Sequence, residues 1–192
     1  MERGRWWMRR GARSGLAEQK RSESMCGIVA YIGEREVTPL LLEGLRRLEY
    51  RGYDSAGITV ARNGTLTTKK AVGKIVELEN RVNGGKELLG STCGIAHTRW
   101  ATHGPPTERN AHPHTDNKGE VWLVHNGIIE NYGTLKKKLG ELGHEFTTDT
   151  DTEVLAHLIE EAFEDNLEEA VRAALSQVDG TYGIAVMSSR DP

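Results

Sequence analysis

The sequence is poor in several things that would have fixed its class at once. It has two cysteines, Cys26 and Cys93, too few for a disulfide framework and consistent with a reducing compartment, so the expected location is the cytoplasm. No window approaches 18 consecutive apolar residues, which excludes a membrane-spanning helix. No GxGxxG is present, and neither Gly73-Lys74 nor Gly85-Lys86 is followed by Ser or Thr, so the dinucleotide fingerprint and the P-loop are both absent. The formal net charge is −3, which gives no overall basic footprint for nucleic acid. Internal repeats and low-complexity blocks are also missing. At 192 residues the chain has room for one domain with its own core.

Charge is unevenly spread. Residues 1–24 hold seven basic and three acidic side chains, a net of +4, leaving −7 for the remainder. This stretch has no apolar periodicity and no apolar centre of a secretory signal. Three readings stand: a translation start placed upstream of Met25, a removable leader, or an arm for nucleic acid or membrane.

From Met25 the character changes. Cys26–Gly33 reads as a short buried strand, and Val37, Leu41, Leu45 and Leu48 mark one face of a helix. Ala56–Arg62 and Leu66–Ala71 flank Asn63-Gly64 as a hairpin. A short helix within residues 74–90 and a strand at Cys93–His97 follow. Val121–His125 reads as a strand ending in an Asn126-Gly127 turn. Leu135, Leu139 and Leu142 give a helix closed by Gly143. Thr150 with Glu153 predicts a capping box for the next helix. A last helix (Leu167, Val171, Leu175, Val178) and a strand at Thr181–Ser188 complete the set. Hairpin-like strands early and paired helices late predict an α+β fold.

The chemistry centres on Cys26. Were Met25 removed, cysteine would be the first residue, and its α-amine, with a pKa of about 8, could take the proton of its own thiol. One residue would then supply nucleophile and base. The plainer reading is a small buried hydrophobe at the start of a strand. Asn126 and the Gly127 N–H could stabilise an oxyanion, or form a simple turn. Arg99 could clamp a carboxylate bidentately, and Asp151 could pair with an ammonium or simply suit a helix N-terminus. Cys93 reads as core. Five of the seven histidines lie between 97 and 125, but without ligand spacing they predict no metal, only loop histidines held by local hydrogen bonds.

Met25-Cys-Gly-Ile-Val29, the run Leu42–Gly57 (LEGLRRLEYRGYDSAG), His97–Gly104 (HTRWATHG), Asn110–His114 (NAHPH), His125–Asn131 (HNGIIEN) and Thr150–Val154 (TDTEV) carry a resemblance. Residues 25–192 resemble the glutaminase domain of the glucosamine-6-phosphate synthase family of class II glutamine amidotransferases. The resemblance implies an N-terminal-nucleophile hydrolase fold, a four-layer αββα sandwich. It implies that Cys26 attacks the side-chain amide of L-glutamine, with Asn126 and Gly127 as oxyanion hole. Arg99 and Asp151 would bind the α-carboxylate and α-ammonium. His97, Trp100, Thr102 and His103 would shape the glutamine loop, with Trp100 gating ammonia and Arg51 supporting the cysteine. No cofactor or metal is implied. Fructose 6-phosphate would bind only through sugar-isomerase domains that residues 25–192 do not include, so the chain is expected to be a C-terminally truncated piece of a homo-oligomeric enzyme. Two alternatives remain: a class II amidotransferase of the phosphoribosylpyrophosphate type, or a non-catalytic glutamine-binding module blocked at Cys26 by residues 1–24.

Overall fold

A computed structural model describes residues 26–191, and the readings of residues 1–24 lie outside them. The first strand, β1 (Gly27–Ile32), leads into α1 (Val37–Leu48), whose Val37, Leu41 and Leu45 recur at four-residue steps and are all fully buried. The hairpin of β2 (Ser55–Arg62) and β3 (Thr65–Val72) forms as expected. Both of its turn residues take positive φ, Asn63 at 49° and Gly64 at 74°, the geometry that joins twisted strands most tightly. After α2 (Ile75–Asn83) comes β4 (Cys93–Arg99), which inserts between β1 and β2 to give a four-stranded antiparallel sheet, β1-β4-β2-β3.

The second half repeats the logic with longer-range pairing. The short β5 (His114–Thr115) and β7 (Gly180–Ser188) flank β6 (Val121–Ile129), with α3 (Tyr132–Glu141), α4 (Thr152–Ala162) and α5 (Leu167–Leu175) between β6 and β7. Alternation of side chains along the strands explains the stacking. On β6, Leu123 packs with the cluster under α3, α4 and α5, while its neighbour Val124 packs with Ile95 and Met187 between the sheets. On β4, Ala96 joins the cluster under α1 and α2, while Ile95 faces the other sheet. The chain is thus an αββα sandwich with three apolar layers, in agreement with the expected fold class.

Three local expectations change. The strand does not end at Asn126-Gly127: β6 runs on to Ile129, with Asn126 opposite Gly183 and Gly127 opposite Tyr182. The capping box at Thr150 does not form. Asp151 occupies the N-cap without a side-chain cap bond, and Glu153 instead accepts from the N–H and hydroxyl groups of Thr147 and Thr148. Cys93 is half-buried at the margin of the inter-sheet layer rather than in the core, because it opens β4 at the sheet's rim.

Candidate active site

A cavity of about 460 Å³ opens where the start of β1, the end of β4 and the middle of β6 converge. Cys26 sits on its wall immediately before β1, beside Trp100, which follows β4. The pairing of Gly27 with Thr98 sets this adjacency, and the Trp100 N–H donates to the Cys26 Sγ at 3.1 Å. The cysteine is therefore a cavity residue and not core. Burial pushes its thiol above the ordinary value; the Trp100 N–H pulls it down and the Asp54 carboxylate pushes it up again. A thiol kept protonated in this way needs a base before it can attack.

Asn126 faces the same cysteine. Its Nδ2 donates to the Cys26 carbonyl at 3.1 Å, and its Oδ1 accepts from His97 Nε2 at 2.8 Å. His97 is wholly buried, and burial pushes its pKa down to about 4. As a neutral donor at Nε2 it fixes which end of the amide points at Cys26. His97 was expected in the glutamine loop; it lies instead within β4, behind Asn126. Gly127 lines the cavity at φ 136°, and a Cβ there would run into the Thr181 carbonyl, so only glycine fits this step of β6.

Arg99, at 3 % exposure, borders the cavity with its guanidinium engaged by the loop that follows it. It donates to the carbonyls of His103, Gly104 (3.3 Å) and Pro105 (3.4 Å), and lies 3.7 Å from Asp54. Asp151 spends Oδ2 on the Ile129 N–H at 3.0 Å, while Oδ1 lies 3.8 Å from His103 Nδ1. Thr102 and His103 line the cavity and touch one another through Oγ1 and Nδ1 at 3.3 Å, and Trp100 stands 45 % exposed at the mouth. Arg51, in a short turn after α1, completes the wall. Of the site residues expected from sequence, all but His97 line this one cavity.

Residues 97–192 match the glutamine amidotransferase domain family. The chain belongs to that family. This amidotransferase domain is 56 % identical over 173 residues to the glutamine–fructose-6-phosphate aminotransferase (isomerizing) of Chlorobaculum tepidum, covering 88 % of this chain and 28 % of that protein. It is 53 % identical over 170 residues to the protein of the same name from Pyrococcus horikoshii, again covering 88 % and 28 %. The chain thus spans little more than a quarter of the curated relatives' length. Among solved structures, glutamine phosphoribosylpyrophosphate amidotransferase from Bacillus subtilis, complexed with ADP and GMP, superposes with a TM-score of 0.71 at 32 % identity. That match covers 84 % of this chain and 35 % of the other. An enzyme described as the allosteric regulatory enzyme of purine biosynthesis gives a TM-score of 0.72 at 31 % identity, over 84 % and 35 %. The domain therefore has the N-terminal-nucleophile fold of class II amidotransferases.

The amidotransferase domain also has site residues that sequence reasoning passed over. Asp54 accepts from the Ala101 N–H at 2.5 Å and from Ser55 Oγ at 2.8 Å, anchoring the loop next to Cys26. Thr152 Oγ1 bridges His112 Nε2 (2.9 Å) and His125 Nδ1 (3.0 Å), and Thr150 Oγ1 meets His114 Nε2 at 3.2 Å. Of the five histidines between 97 and 125, only His103 is a loop residue with a local bond, to Thr102. The other four are interior, each bonded to a residue at least 27 positions away, and burial lowers the pKa of each. The threonines of Thr150-Asp-Thr152 were visible in sequence only as a cap, which is why their partners were missed.

Proposed function

We propose that this domain hydrolyses L-glutamine to glutamate and ammonia, the ammonia-supplying half of an enzyme that converts fructose 6-phosphate and glutamine to glucosamine 6-phosphate and glutamate. The observation that carries the reading is the pair of donors gathered on Cys26: the Trp100 N–H on its sulfur and Asn126 Nδ2 on its carbonyl, both at 3.1 Å. The 50–56 % identity to fructose-6-phosphate enzymes, against 32 % for the phosphoribosylpyrophosphate type, favours the sugar phosphate as ammonia acceptor.

In this reading the Cys26 α-amine accepts the thiol proton as sulfur bonds to the glutamine Cδ. The carbonyl π pair moves to oxygen, and Asn126 Nδ2 with the Gly127 N–H holds the oxyanion. Collapse breaks the C–N bond, and the ammonium returns its proton to the leaving ammonia. Water, deprotonated by the same amine, then cleaves the thioester to glutamate and regenerates the thiol. Arg99 takes the α-carboxylate and Asp151 Oδ1 the α-ammonium. An amide nitrogen cannot act as this base, so the active form begins at Cys26.

The test is an intact mass after incubation with an electrophilic glutamine analogue, alongside a glutamate-release assay. A chain beginning at Cys26 that carries one adduct, lost in Cys26→Ser, supports the proposal. Labelling that survives Cys26→Ser, or glutamate release from a chain that keeps residues 1–25, overturns it.

A further inference from the structure

Two histidines and a glutamate meet outside the cavity, on the helical side of the second sheet, and no step above uses them. His144 follows Gly143, which takes φ 99° to close α3, and its N–H returns to the Leu139 carbonyl at 3.0 Å. His157 and Glu160 lie three residues apart on α4 and so share a face. Glu160 Oε2 lies 3.3 Å from His144 Nδ1 and 3.5 Å from His157 Nδ1. Tetrahedral zinc, with bonds of about 2.0–2.2 Å to nitrogen and oxygen, separates neighbouring ligand atoms by about 3.3–3.5 Å. Two edges of that tetrahedron are already in place, and one ligand atom from each residue lies within 4.8 Å of the others.

The far sides of both rings point the same way. His144 Nε2 faces Glu161 Oε1 at 2.9 Å, and His157 Nε2 faces Glu153 Oε1 at 4.0 Å. His157 is fully buried, yet its Nε2 finds no hydrogen-bond partner among the described residues. All four ring nitrogens thus look at carboxylates. Glu160 Oε2 also accepts from the Asn117 N–H at 3.3 Å, which holds the carboxylate in place between the two rings. A cation between the two Nδ1 atoms and Oε2 leaves each ring's Nε2–H facing Glu161 or Glu153, and carboxylates are the usual outer partners of metal-bound histidine.

We propose that His144, His157 and Glu160 form a structural site for a divalent transition-metal ion of the zinc class, with water as fourth ligand, stapling the chain after α3 to α4. The Lys118 ammonium, on an exposed side chain 3.1 Å from Glu160 Oε1, is the group that competes with the ion.

The experiment titrates the chelator-stripped chain with Zn²⁺ against a chromophoric chelator, and with Co²⁺ by visible absorption. The expected result is one ion per chain, with tetrahedral Co²⁺ bands and no thiolate charge-transfer band. Because outer-partner changes typically cost about 10–100-fold, Glu161→Gln should weaken binding roughly tenfold and loss of a direct ligand in Glu160→Gln by about 100-fold or more. His157 packs edge-on against Phe146, so its truncation disturbs the fold; Glu160→Gln keeps the shape and removes only the charge. Lys118→Ala should tighten binding, a gain that a purely structural hydrogen-bond cluster does not predict. Zn²⁺ affinity indifferent to Glu160→Gln, affinity not raised by Lys118→Ala, or a thiolate band assigning the ion to a cysteine overturns the proposal.

Discussion

His97 donates from Nε2 to Asn126 Oδ1 at 2.8 Å, and that bond orients the only side-chain amide aimed at Cys26 among the cavity residues. An amide rotates easily, and a half-turn would present its oxygen to a developing oxyanion and repel it. The wholly buried histidine prevents this, because its neutral Nε2–H can bond only to the oxygen end.

Asn126→Ala should lower kcat for glutamine hydrolysis by about 100–1000-fold with little change in KM, the usual loss of one oxyanion donor. His97→Leu should lower kcat by about tenfold or more and cost about 1–3 kcal/mol of stability, since it leaves the part-buried Oδ1 of Asn126 without its donor. The decisive measurement is the double variant. If His97 acts through Asn126, adding His97→Leu to Asn126→Ala lowers kcat little further. Additive losses would separate the two roles.

Gly127→Ala meets both a φ of 136° and the Thr181 carbonyl. Strain of this kind costs about 1–3 kcal/mol, and here it falls on the pairing of β6 with β7. The expected outcome is a melting temperature lower by several degrees, together with loss of glutaminase activity. An unshifted melting curve would show that β6 re-forms around the side chain.

The same dipeptide shows what was legible in the sequence and what was not. Asn63-Gly64 turns because β2 and β3 are adjacent in sequence and pair with each other. Asn126-Gly127 carries the same letters but is held straight by β7, more than 50 residues further on, a partner no local pattern reveals. The layers were legible because periodicity reports burial: Leu41, Leu45 and Leu155 are core as their spacing requires. The cavity residues were legible through motif resemblance. The histidines bonded to Thr150 and Thr152 were not, since their bonds join segments at least 27 residues apart. Likewise Glu153, the second residue of α4, turned to the loop before the helix instead of capping it.

Acid should unfold the domain earlier than its carboxylates alone would dictate. His97, His112, His114 and His125 all sit below the ordinary histidine value through burial, so between their folded and unfolded pKa values the unfolded chain binds more protons. Their neutral forms therefore contribute stability that is fully present above about pH 6.5 and is lost as pH falls. His97 alone, shifted to about 4, accounts for roughly 3 kcal/mol over that window. Urea unfolding from pH 8 to pH 4.5 should show midpoints falling steeply below pH 6.5. A flat profile down to pH 5 would mean these histidines are hydrated or charged in the folded state.

Arg99→Lys separates charge from geometry. The guanidinium reaches the carbonyls of His103, Gly104 and Pro105 together, ties the loop carrying Trp100 and Thr102 to the end of β4, and still borders the cavity. An ammonium keeps the charge but is a single point that cannot span three acceptors. Losing charge-assisted bonds worth about 1.5–3 kcal/mol each frees the loop, and the glutamine KM should rise about tenfold or more while kcat changes less. Limited proteolysis reports the loop directly: Arg99→Lys should be cut faster within residues 100–106, and glutamine should slow the cut. A raised KM without faster cleavage would mean that Arg99 acts only on the substrate carboxylate. Faster cleavage with an unchanged KM would mean that the loop carbonyls are its whole task.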